Sequence, residues 1–462
     1  MRGSSPRMTA QQAVKGLAAS SRCRRRLRTP PSALPRSRST GNKTLRIRHL
    51  TSVRSPRLKA TSFESAALNQ LPTWASMSFL SLWSQLPLTS TLMGSAAKLF
   101  RVGIVQCRGT PYEVGRAQAQ LFAATPKGRA FLRHKTTKLP WWFNIRTEQR
   151  AFAQFSPALW EEIGGLAEGL KIPLERAVLC FGNNGLRPPI GACSAVVTAH
   201  VYGRNYDFRP RYYGARLAFL QATGSYASVG SSELLTGRLD GMNERGLAIG
   251  LHMVRMSPRY PGLSCVLIVR IILDQCATTA EAVAMLRRLP HAMQYNYSLL
   301  DAGGTAAVVE AVPGSVVVRT GSWLACTNHF QSSLLRPLNR RAAHSQQRLP
   351  PLEAWAAQGL SAEAMFTALN RSTSPAFHHG YLKGAGTLHT IVAEPSKKRL
   401  LIGVGGDAAA LEEDMLDVDF DRWLHGEDLP VQYLEGQLGG TSRPFEWPVR
   451  RKKAARSDLL VE

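Results

Sequence analysis

Acidic residues are missing from the first part of this 462-residue chain, although the whole chain holds 31 of them. No Asp or Glu precedes Glu64, whereas residues 1–63 hold 16 Lys and Arg. Of the formal net charge of +27, this leaves +11 for residues 64–462. A basic stretch rich in Arg, Ser and Pro is typical of a solvated tail. The distribution of charge therefore argues against a nucleic-acid partner.

The segment 1–98 is predicted to be an extension that precedes the globular part. Three interpretations stay open for it: a targeting peptide, a disordered arm, or an upstream choice of start codon. Residues 65–97 contain no charged side chain at all, but polar residues and proline interrupt their apolar run. We expect a cytoplasmic protein, with organelle targeting or export left open. At the other end, 431–462 is predicted to be a basic tail.

The chain also lacks an uninterrupted run of about 20 apolar residues, which a membrane-spanning helix would need. Its seven cysteines are scattered and odd in number, and none has the spacing of a zinc site. They are Cys23, Cys107, Cys180, Cys193, Cys265, Cys276 and Cys326. This pattern excludes a disulfide scaffold and favours a reducing compartment. We expect neither a metal nor a cofactor.

Helical signals dominate residues 99–192. After a strand near 100–105, Thr110, Pro111 and Glu113 form the signature of a capped helix start. A second helix is predicted to open at Ser156–Pro157, with a Gly-Gly pair as a mild fault in it, and a third covers 173–181. This segment is expected to be the first of two pieces of one domain.

Strands dominate residues 193–430. Alternating or apolar runs bounded by turn residues are predicted at 195–199, 215–221, 246–254, 296–302, 305–312, 315–320, 387–393 and 399–404. Helices are predicted at 263–276, 279–288 and 361–370, and a polar surface loop at 331–352. Short turns between consecutive strands imply antiparallel pairing, and the clustered helices would cover the sheets. The expected fold class is therefore α/β (α+β), with two stacked sheets flanked by helices.

One cysteine stands out, because flexible chain rich in Gly, Asn and Pro leads directly to it. Cys193 follows Gly191 and Ala192 and opens a short apolar strand, and Arg204 and Asp207 arrive on the next strand. A thiol in this setting is either a nucleophile with orienting charges or a buried structural cysteine. His200, His252, His291, His329 and His389 are all candidates for a base. Alternatively, cleavage before Cys193 would free an α-amine that serves as its base.

Several sequence blocks, in order, resemble the peptidase C45 family of autoproteolytic acyltransferases. These are Gly109–Gly115, Trp160–Gly169, Ala192–Ser194, Gly203–Phe208, Gly241–Leu247 and Thr327–Phe330. The family is typified by acyl-CoA:6-aminopenicillanic acid acyltransferase and is related more distantly to choloylglycine hydrolases and penicillin V acylases. All are N-terminal-nucleophile (Ntn) hydrolases. The resemblance runs from about residue 103 to about 405 and implies a four-layer αββα sandwich.

The resemblance also implies roles for single residues. Cys193 would be the nucleophile, released as a new N-terminus by cleavage after Ala192. Asp207 would orient its ammonium and thiol, and Arg204 would be a supporting cation. Asn243 and Asn328 would supply an oxyanion hole. From the residues alone, Arg204 and Asp207 could equally form an ion pair, and both asparagines could serve turns.

Two positions depart from the family pattern. Ala192 stands where the family has glycine, and a side chain there restricts the backbone at the cleavage junction. A late arginine of the family has no secure counterpart, although Lys383 lies near its place in the sequence.

The resemblance implies an autoproteolytic hydrolase or acyltransferase that is made as a zymogen and acts on a linear amide through a thioester. The expected partners are a small acyl amide, acyl-CoA as a conceivable donor, and the two fragments 99–192 and 193–430, which would stay associated. The alternative is an unprocessed, non-catalytic protein of the same fold that binds a ligand or partner.

Overall fold

The computed structural model describes residues 98–133, 139, 143–182, 191–255, 262–340, 342–371, 373–383, 385–405 and 415–438. The N-terminal extension up to residue 97, the lead-in at 183–190 and the chain beyond 438 lie outside the described residues. Within the described ranges, no helix combines the length and the apolar character needed to cross a membrane.

In its described residues, the first segment has one strand and five helices. Strand β1 (Lys98–Gly109) leads into α1 (Pro111–Ala123), where Thr110 and Glu113 make the predicted capping box. The other helices are α2 (Pro126–Arg133), α3 (Ile145–Phe155), α4 (Pro157–Leu170) and α5 (Leu174–Phe181). Helices α2 and α3 were not predicted. Asn144 caps α3 by accepting bonds from two backbone N–H groups.

Helices α1 and α4 cross at glycines that leave no room for a side chain. A Cβ atom on Gly165 of α4 would lie 2.0 Å from the carbonyl oxygen of Tyr112. One on Gly115 of α1 would lie 2.0 Å from the carbonyl oxygen of Glu162. The Gly-Gly pair that looks like a fault in the sequence is thus required at one of its two positions. At Gly164 the nearest atom to an added Cβ is a Tyr112 ring carbon at 3.6 Å.

Gly164 and Gly165 therefore provide a matched pair of substitutions that tests the close packing of α1 on α4. Gly165→Ala is expected to lower the free energy of unfolding by about 2–3 kcal/mol, because the two helices must separate. Gly164→Ala is expected to be neutral or to raise it by up to about 1 kcal/mol, since alanine favours the helix. Urea unfolding of both variants measures the difference. Equal effects at the two positions would contradict this account of the crossing.

The larger sheet has ten strands. Its order is β11 (Ser315–Thr320), β10 (Ala306–Val312), β9 (Gln294–Leu300), β8 (Ala248–Arg255), β7 (Asp240–Asn243), β5 (Ser228–Glu233), β4 (Arg216–Ala222), β1 and β16 (Tyr433–Leu438), with β6 (Gly237–Arg238) on β5. The pairing is antiparallel except between β1 and β4, which are parallel and are joined by a long connection through α1–α5 and two strands of the other sheet. The strand β16 lies within the stretch where the sequence places the C-terminal tail.

The smaller sheet has six antiparallel strands and contains Cys193. Its order is β12 (Leu324–Cys326), β2 (Ala192–Val197), β3 (Tyr202–Phe208), β13 (Gly386–Glu394), β14 (Arg399–Val404) and β15 (Leu416–Asp419). Every residue of β3 and β13 is buried, because both faces of this sheet are covered.

Four layers result from this packing. Helices α8 (Ala343–Gln358) and α9 (Ala362–Asn370) pack on the outer face of the smaller sheet. The two sheets face each other across the main apolar core. Helices α1, α6 (Cys265–Gln275) and α7 (Thr279–Arg288) cover the outer face of the larger sheet, and the short α10 (Phe420–Leu424) lies near the C-terminus. The predicted αββα sandwich is confirmed.

The prediction of a surface loop at 331–352 is wrong for its second half, which is helical. Polar composition and two prolines suggested the loop, yet α8 runs through Pro350 and Pro351. Proline has no backbone N–H, so the carbonyls of Gln346 and Gln347 lose their helical hydrogen bonds. Both glutamines are exposed, and water can bond to these carbonyls instead. Four buried side chains hold the helix against the sheet at helical spacing, namely Ser345, Arg348, Leu352 and Ala356.

Candidate active site

The alternation of strand β2 places the side chain of Cys193 between the two sheets. Cys193, Ala195 and Val197 belong to the central core, whereas Ser194 and Val196 face α8 and α9. The Cys193 side chain is buried, and the residue is only 2% exposed. Burial raises the pKa of its thiol against the opposing positive charges of Arg204 and Arg348. In the intact chain the thiol is therefore protonated at neutral pH.

Arg204 lies beside this thiol, as the sequence predicts. Its Nη2 donates to the Cys193 Sγ at 3.4 Å and to the carbonyl oxygen of Leu251 at 2.7 Å. Arg204 is on β3 directly opposite Ala195, so its side chain shares the inner face with that of Cys193. The guanidinium is fully buried. Its charge favours a thiolate at Cys193 over a neutral thiol.

A carboxylate from the other sheet holds Arg204 in place. Asp240 of β7 accepts a hydrogen bond from the Arg204 Nη1, and its Oδ2 lies 2.7 Å from the Nε2 of His389. Burial alone would raise the pKa of Asp240, but His389 and Arg204 hold it well below its ordinary value. Tyr213 bonds the other ring nitrogen of His389 at 2.7 Å. The sequence analysis did not single out Asp240, since nothing in its spacing links it to Cys193.

Asp207 lies on the opposite face of the smaller sheet from Arg204, because the two are three residues apart on one strand. Its Oδ1 accepts from the Thr387 hydroxyl at 2.7 Å. Its Oδ2 is buried without a hydrogen-bond partner among the described residues and lies 3.9 Å from the Arg348 Nη1. Burial raises the pKa of Asp207, and Arg348 and Thr387 oppose that shift. Strand pairing sets Asp207 opposite Ala192, the residue before the nucleophile.

Asn328 and Arg348 hold the backbone of Cys193. The Asn328 Oδ1 accepts from the Cys193 N–H at 2.8 Å and from the Arg348 Nη2 at 2.7 Å. The Arg348 Nη1 donates to the carbonyl oxygen of Cys193 at 2.8 Å and to the Ser194 hydroxyl at 2.6 Å. The amide nitrogen, carbonyl and thiol of Cys193 therefore each have a polar partner.

Arg348 contacts the candidate nucleophile, yet the sequence analysis did not single it out. It belongs to the segment predicted as a surface loop, where an arginine signals only solubility. Its spacing from Ser345 and Leu352 is helical, and that was the one available signal. Lys383, noted from the sequence near the place of a late arginine, lies in a short 3₁₀ turn at Gly380–Lys383. Arg348, and not Lys383, is the basic residue that bonds to the backbone of Cys193 among the described residues.

The side chain of Asn243 hydrogen-bonds to backbone groups of a turn and a helix end, unlike that of Asn328, which bonds to Cys193. Its Nδ2 donates to the carbonyl oxygens of Leu273 and Cys276, each at 2.8 Å. Its Oδ1 accepts from the N–H groups of Arg245 and Leu247. These partners tie the turn after β7 to the end of α6, which is the turn role that the sequence left open. None of them is another predicted site residue.

The candidate histidines have partners other than Cys193. His252 bonds the Ser298 hydroxyl at 2.8 Å, and burial together with Arg204 and Arg348 holds its pKa well below the ordinary value. His291 bonds a backbone carbonyl, and His329 lies 2.8 Å from the Ser345 hydroxyl. No hydrogen bond joins any of them to the thiol within the described ranges. These ranges also contain no group of three His, Cys, Asp or Glu side chains that could hold a metal ion.

A mostly apolar cavity opens beside Cys193. Its walls include Tyr206, Phe208, Tyr212, Leu251, Met253 and Tyr295. Glu233 is a polar exception, and burial raises its pKa to about 7 against the opposing charge of Lys127. Aromatic and aliphatic walls with one polar group suit an apolar acyl chain. Nothing in the sequence connected Glu233 with Cys193.

The buried carboxyl of Asp207 leads to a prediction on stability. Because its pKa is raised in the folded chain, its ionisation disfavours folding as the pH rises above the ordinary carboxyl range. In the Cys193→Ala background, which should keep the chain intact so that no new ammonium pairs with Asp207, Asp207→Asn is therefore expected to raise the free energy of unfolding at pH 7.5 by about 1 kcal/mol. At pH 3.5 the gain should be smaller, since Asp207 is then mostly protonated in both states. Urea unfolding at the two pH values tests this, and a double variant less stable than Cys193→Ala at pH 7.5 would contradict it.

Residues 197–409 match the family model described as acyl-coenzyme A:6-aminopenicillanic acid acyl-transferase. This match confirms the family resemblance. It covers slightly less than half of the chain and includes Arg204, Asp207 and Arg348 but begins after Cys193. It supports an enzyme of the acyl-transferase class. No curated protein sequence matches the chain.

Solved structures similar to the chain include a mutant conjugated bile acid hydrolase from Clostridium perfringens. It has 13% identity and a TM-score of 0.36 over 50% of this chain and 93% of that one. Penicillin V acylase from Agrobacterium tumefaciens has 19% identity and a TM-score of 0.29 over 51% and 80%. The Caenorhabditis elegans ortholog of N-acylethanolamine-hydrolyzing acid amidase has 16% identity and a TM-score of 0.31 over 44% and 93%.

Proposed function

We propose that the chain is a self-processing cysteine amidase or acyltransferase with Cys193 as its nucleophile. The observation that supports this most directly is that polar groups converge on three atoms of one residue. Arg204 contacts the thiol, Asn328 the amide nitrogen, and Arg348 the carbonyl oxygen. A structural cysteine in a strand needs none of these three contacts, since it behaves as a small apolar side chain.

Processing would begin at the peptide bond between Ala192 and Cys193. The Cys193 sulfur adds to the carbonyl carbon of Ala192 and its thiol proton passes to the nitrogen, which leaves as the α-amine and creates a thioester. Water then hydrolyses the thioester to the Ala192 carboxylate and the Cys193 thiol. Asn328 already holds the nitrogen that becomes this amine.

The released ammonium would provide the partner that the Asp207 Oδ2 lacks. Asp207 is buried on the strand paired with Ala192, and an adjacent cation would stabilise its carboxylate. As the neutral amine, the same group would accept the thiol proton. Its pKa lies near neutrality in solution, at about 8, which suits a general base.

In the acyl-transfer reaction, the Cys193 thiolate would attack a linear amide whose acyl group lies in the apolar cavity. The amine leaves with the proton and an acyl thioester remains on Cys193. Water, or a second amine, then takes the acyl group and restores the thiol. Hydrolysis is the simpler outcome, since the cavity walls bear no group that singles out a β-lactam acceptor. Arg204 would stabilise the sulfur anion at each attack.

The two fragments would stay together after cleavage. Strand β1 of the first lies between β4 and β16 of the second, and the Glu162 carboxylate of α4 pairs with Arg270 of α6 at 2.7 Å. The Glu162–Arg270 pair is buried, and neither contact involves the junction.

Trapping the thioester tests the reaction. The purified protein would be mixed with N-acyl amino acids, acyl-homoserine lactones, bile-acid amides or penicillin V and quenched in acid. We expect peptide mass spectrometry to find the acyl mass on Cys193 for at least one class, together with release of the amine. Acylation at another residue, or none with any class, would count against the proposal.

Burial of the Cys193 thiol favours a second candidate, a non-catalytic protein that binds an apolar ligand in the same cavity. It predicts an intact chain that binds an acyl amide without releasing the amine. The trapping experiment separates the two, because equilibrium binding without acylation fits this candidate alone.

A further inference from the structure

Two arginines lie side by side on the outer face of the larger sheet, away from the Cys193 cavity. Strand pairing sets Arg238 opposite Ser232, and Leu217 opposite Ser231, so Arg216 flanks Ser232 from the other side. Directly opposed residues point to the same face of a sheet. Ala218, on the same face as Arg216, packs against α1. Both arginines therefore lie beneath the helical layer.

A third arginine, Arg270, forms ion pairs with the two carboxylates of this cluster, those of Glu162 and Asp274. The Arg270 Nη2 lies 2.7 Å from the Glu162 Oε2, and its Nε lies 2.7 Å from the Asp274 Oδ1. The Gln118 Nε2 also donates to Glu162, at 2.7 Å. Three guanidinium groups thus share two carboxylates, which leaves one positive charge in excess in a buried cluster.

The remaining guanidinium groups have N–H donors without acceptors. Within the described ranges, the Arg238 Nε and Nη2 and the Arg216 Nη1 and Nη2 are buried and make no hydrogen bond. Burial lowers the pKa of Arg238 to about 9 and that of Arg216 to about 10, so both groups stay charged at neutral pH. An uncompensated buried charge is costly, and the usual compensation is a counter-ion.

We infer that Arg216 and Arg238 bind a small monovalent inorganic anion, of which chloride is the common biological example. One negative charge balances the cluster, and the unpaired N–H groups supply its ligands. A water molecule could accept those hydrogen bonds but would leave the charge uncompensated. A divalent oxyanion would reverse the excess beside Glu162 and Asp274.

The anion site is separate from the catalytic cavity and stabilises the fold. Glu233, which lines the cavity, follows Ser232 on β5 and so points to the opposite face from Ser232 and from its strand partner Arg238. The cluster joins Gln118 and Glu162 of the first segment to strands and a helix of the second. The inference holds whether or not the chain is processed.

Thermal unfolding tests the site at constant ionic strength, with chloride replaced by gluconate. We expect the melting temperature of the full chain to rise by about 3–6 °C, saturably, as chloride replaces gluconate, and bromide to substitute for chloride. Arg238→Gln should abolish the response, and Arg216→Gln serves if that variant does not fold. Arg422→Gln, an exposed arginine paired with Glu427, is the matched control and should respond like wild type.

Crystals grown in bromide give a direct readout. An anomalous peak within hydrogen-bond distance of both guanidinium groups is expected. Equal melting temperatures in chloride and gluconate, or crystals without such a peak, would overturn the inference, because water or a carboxylate of the chain would then satisfy the arginines.

Discussion

Replacing Cys193 by alanine is expected to leave the chain in one piece and to lower amide turnover by at least about 10⁴-fold, since both reactions use the same sulfur. The fold should survive, because alanine fits the space that the thiol occupies between the sheets. Gel electrophoresis measures processing, and amine release measures turnover. If the variant is still cut after Ala192, the sulfur is not the agent of cleavage and the proposed mechanism is wrong.

Two other cysteines serve as controls for this variant. Cys107 and Cys276 are buried, free and outside the site, and burial raises the thiol pKa of Cys107 to about 11. Cys107→Ala and Cys276→Ala should be processed and active within about threefold of wild type, with small losses of stability. Cys193→Ser should be processed more slowly than wild type, since a hydroxyl is a weaker nucleophile than a thiol.

Arg348→Gln is expected to lower turnover by about 10²–10³-fold, the scale for losing one fixed donor in an active site. The variant loses the charge near Asp207 and the paired donors to Cys193 and Asn328. Arg348→Lys should recover part of the loss, because lysine restores the charge without the forked geometry. Turnover of each variant, compared with its processing on a gel, shows which of the two steps depends on the guanidinium.

Arg340→Gln is the matched control. Arg340 precedes the same helix and is exposed, and its bonds to described residues go to carbonyls of its own loop. It should behave like wild type. If Arg348→Gln were as active as Arg340→Gln, the contacts of Arg348 would be structural only.

The elements that the sequence predicted well are those in which local and tertiary forces agree. The helix after Thr110 has its cap, its proline and an apolar face, and it forms where predicted. Most strands of both sheets are within a few residues of their predicted limits for the same reason. Helix α8 could not be predicted, because its two prolines oppose it locally and only its contact with the smaller sheet favours it.

Some residues of the candidate site could be predicted from local sequence, and others could not. Arg204 and Asp207 were found through their strand, whose residues also resemble the family pattern, and the structure places both around Cys193. The alternation of that strand sets Arg204 at the thiol and Asp207 on the other face, near Arg348. Asp240 and Arg348 reach the site from other layers of the fold, and the spacing of residues along the chain does not reveal such contacts. Asn243 matched the family pattern, yet its bonds serve a turn.

The central proposal, cleavage between Ala192 and Cys193, can be tested by the intact mass of the freshly purified protein and the N-terminal sequences of its pieces. The account predicts two co-purifying fragments, the second of which begins at Cys193. A single stable chain, still intact after prolonged incubation and inert toward thiol-directed acylating probes, would contradict it.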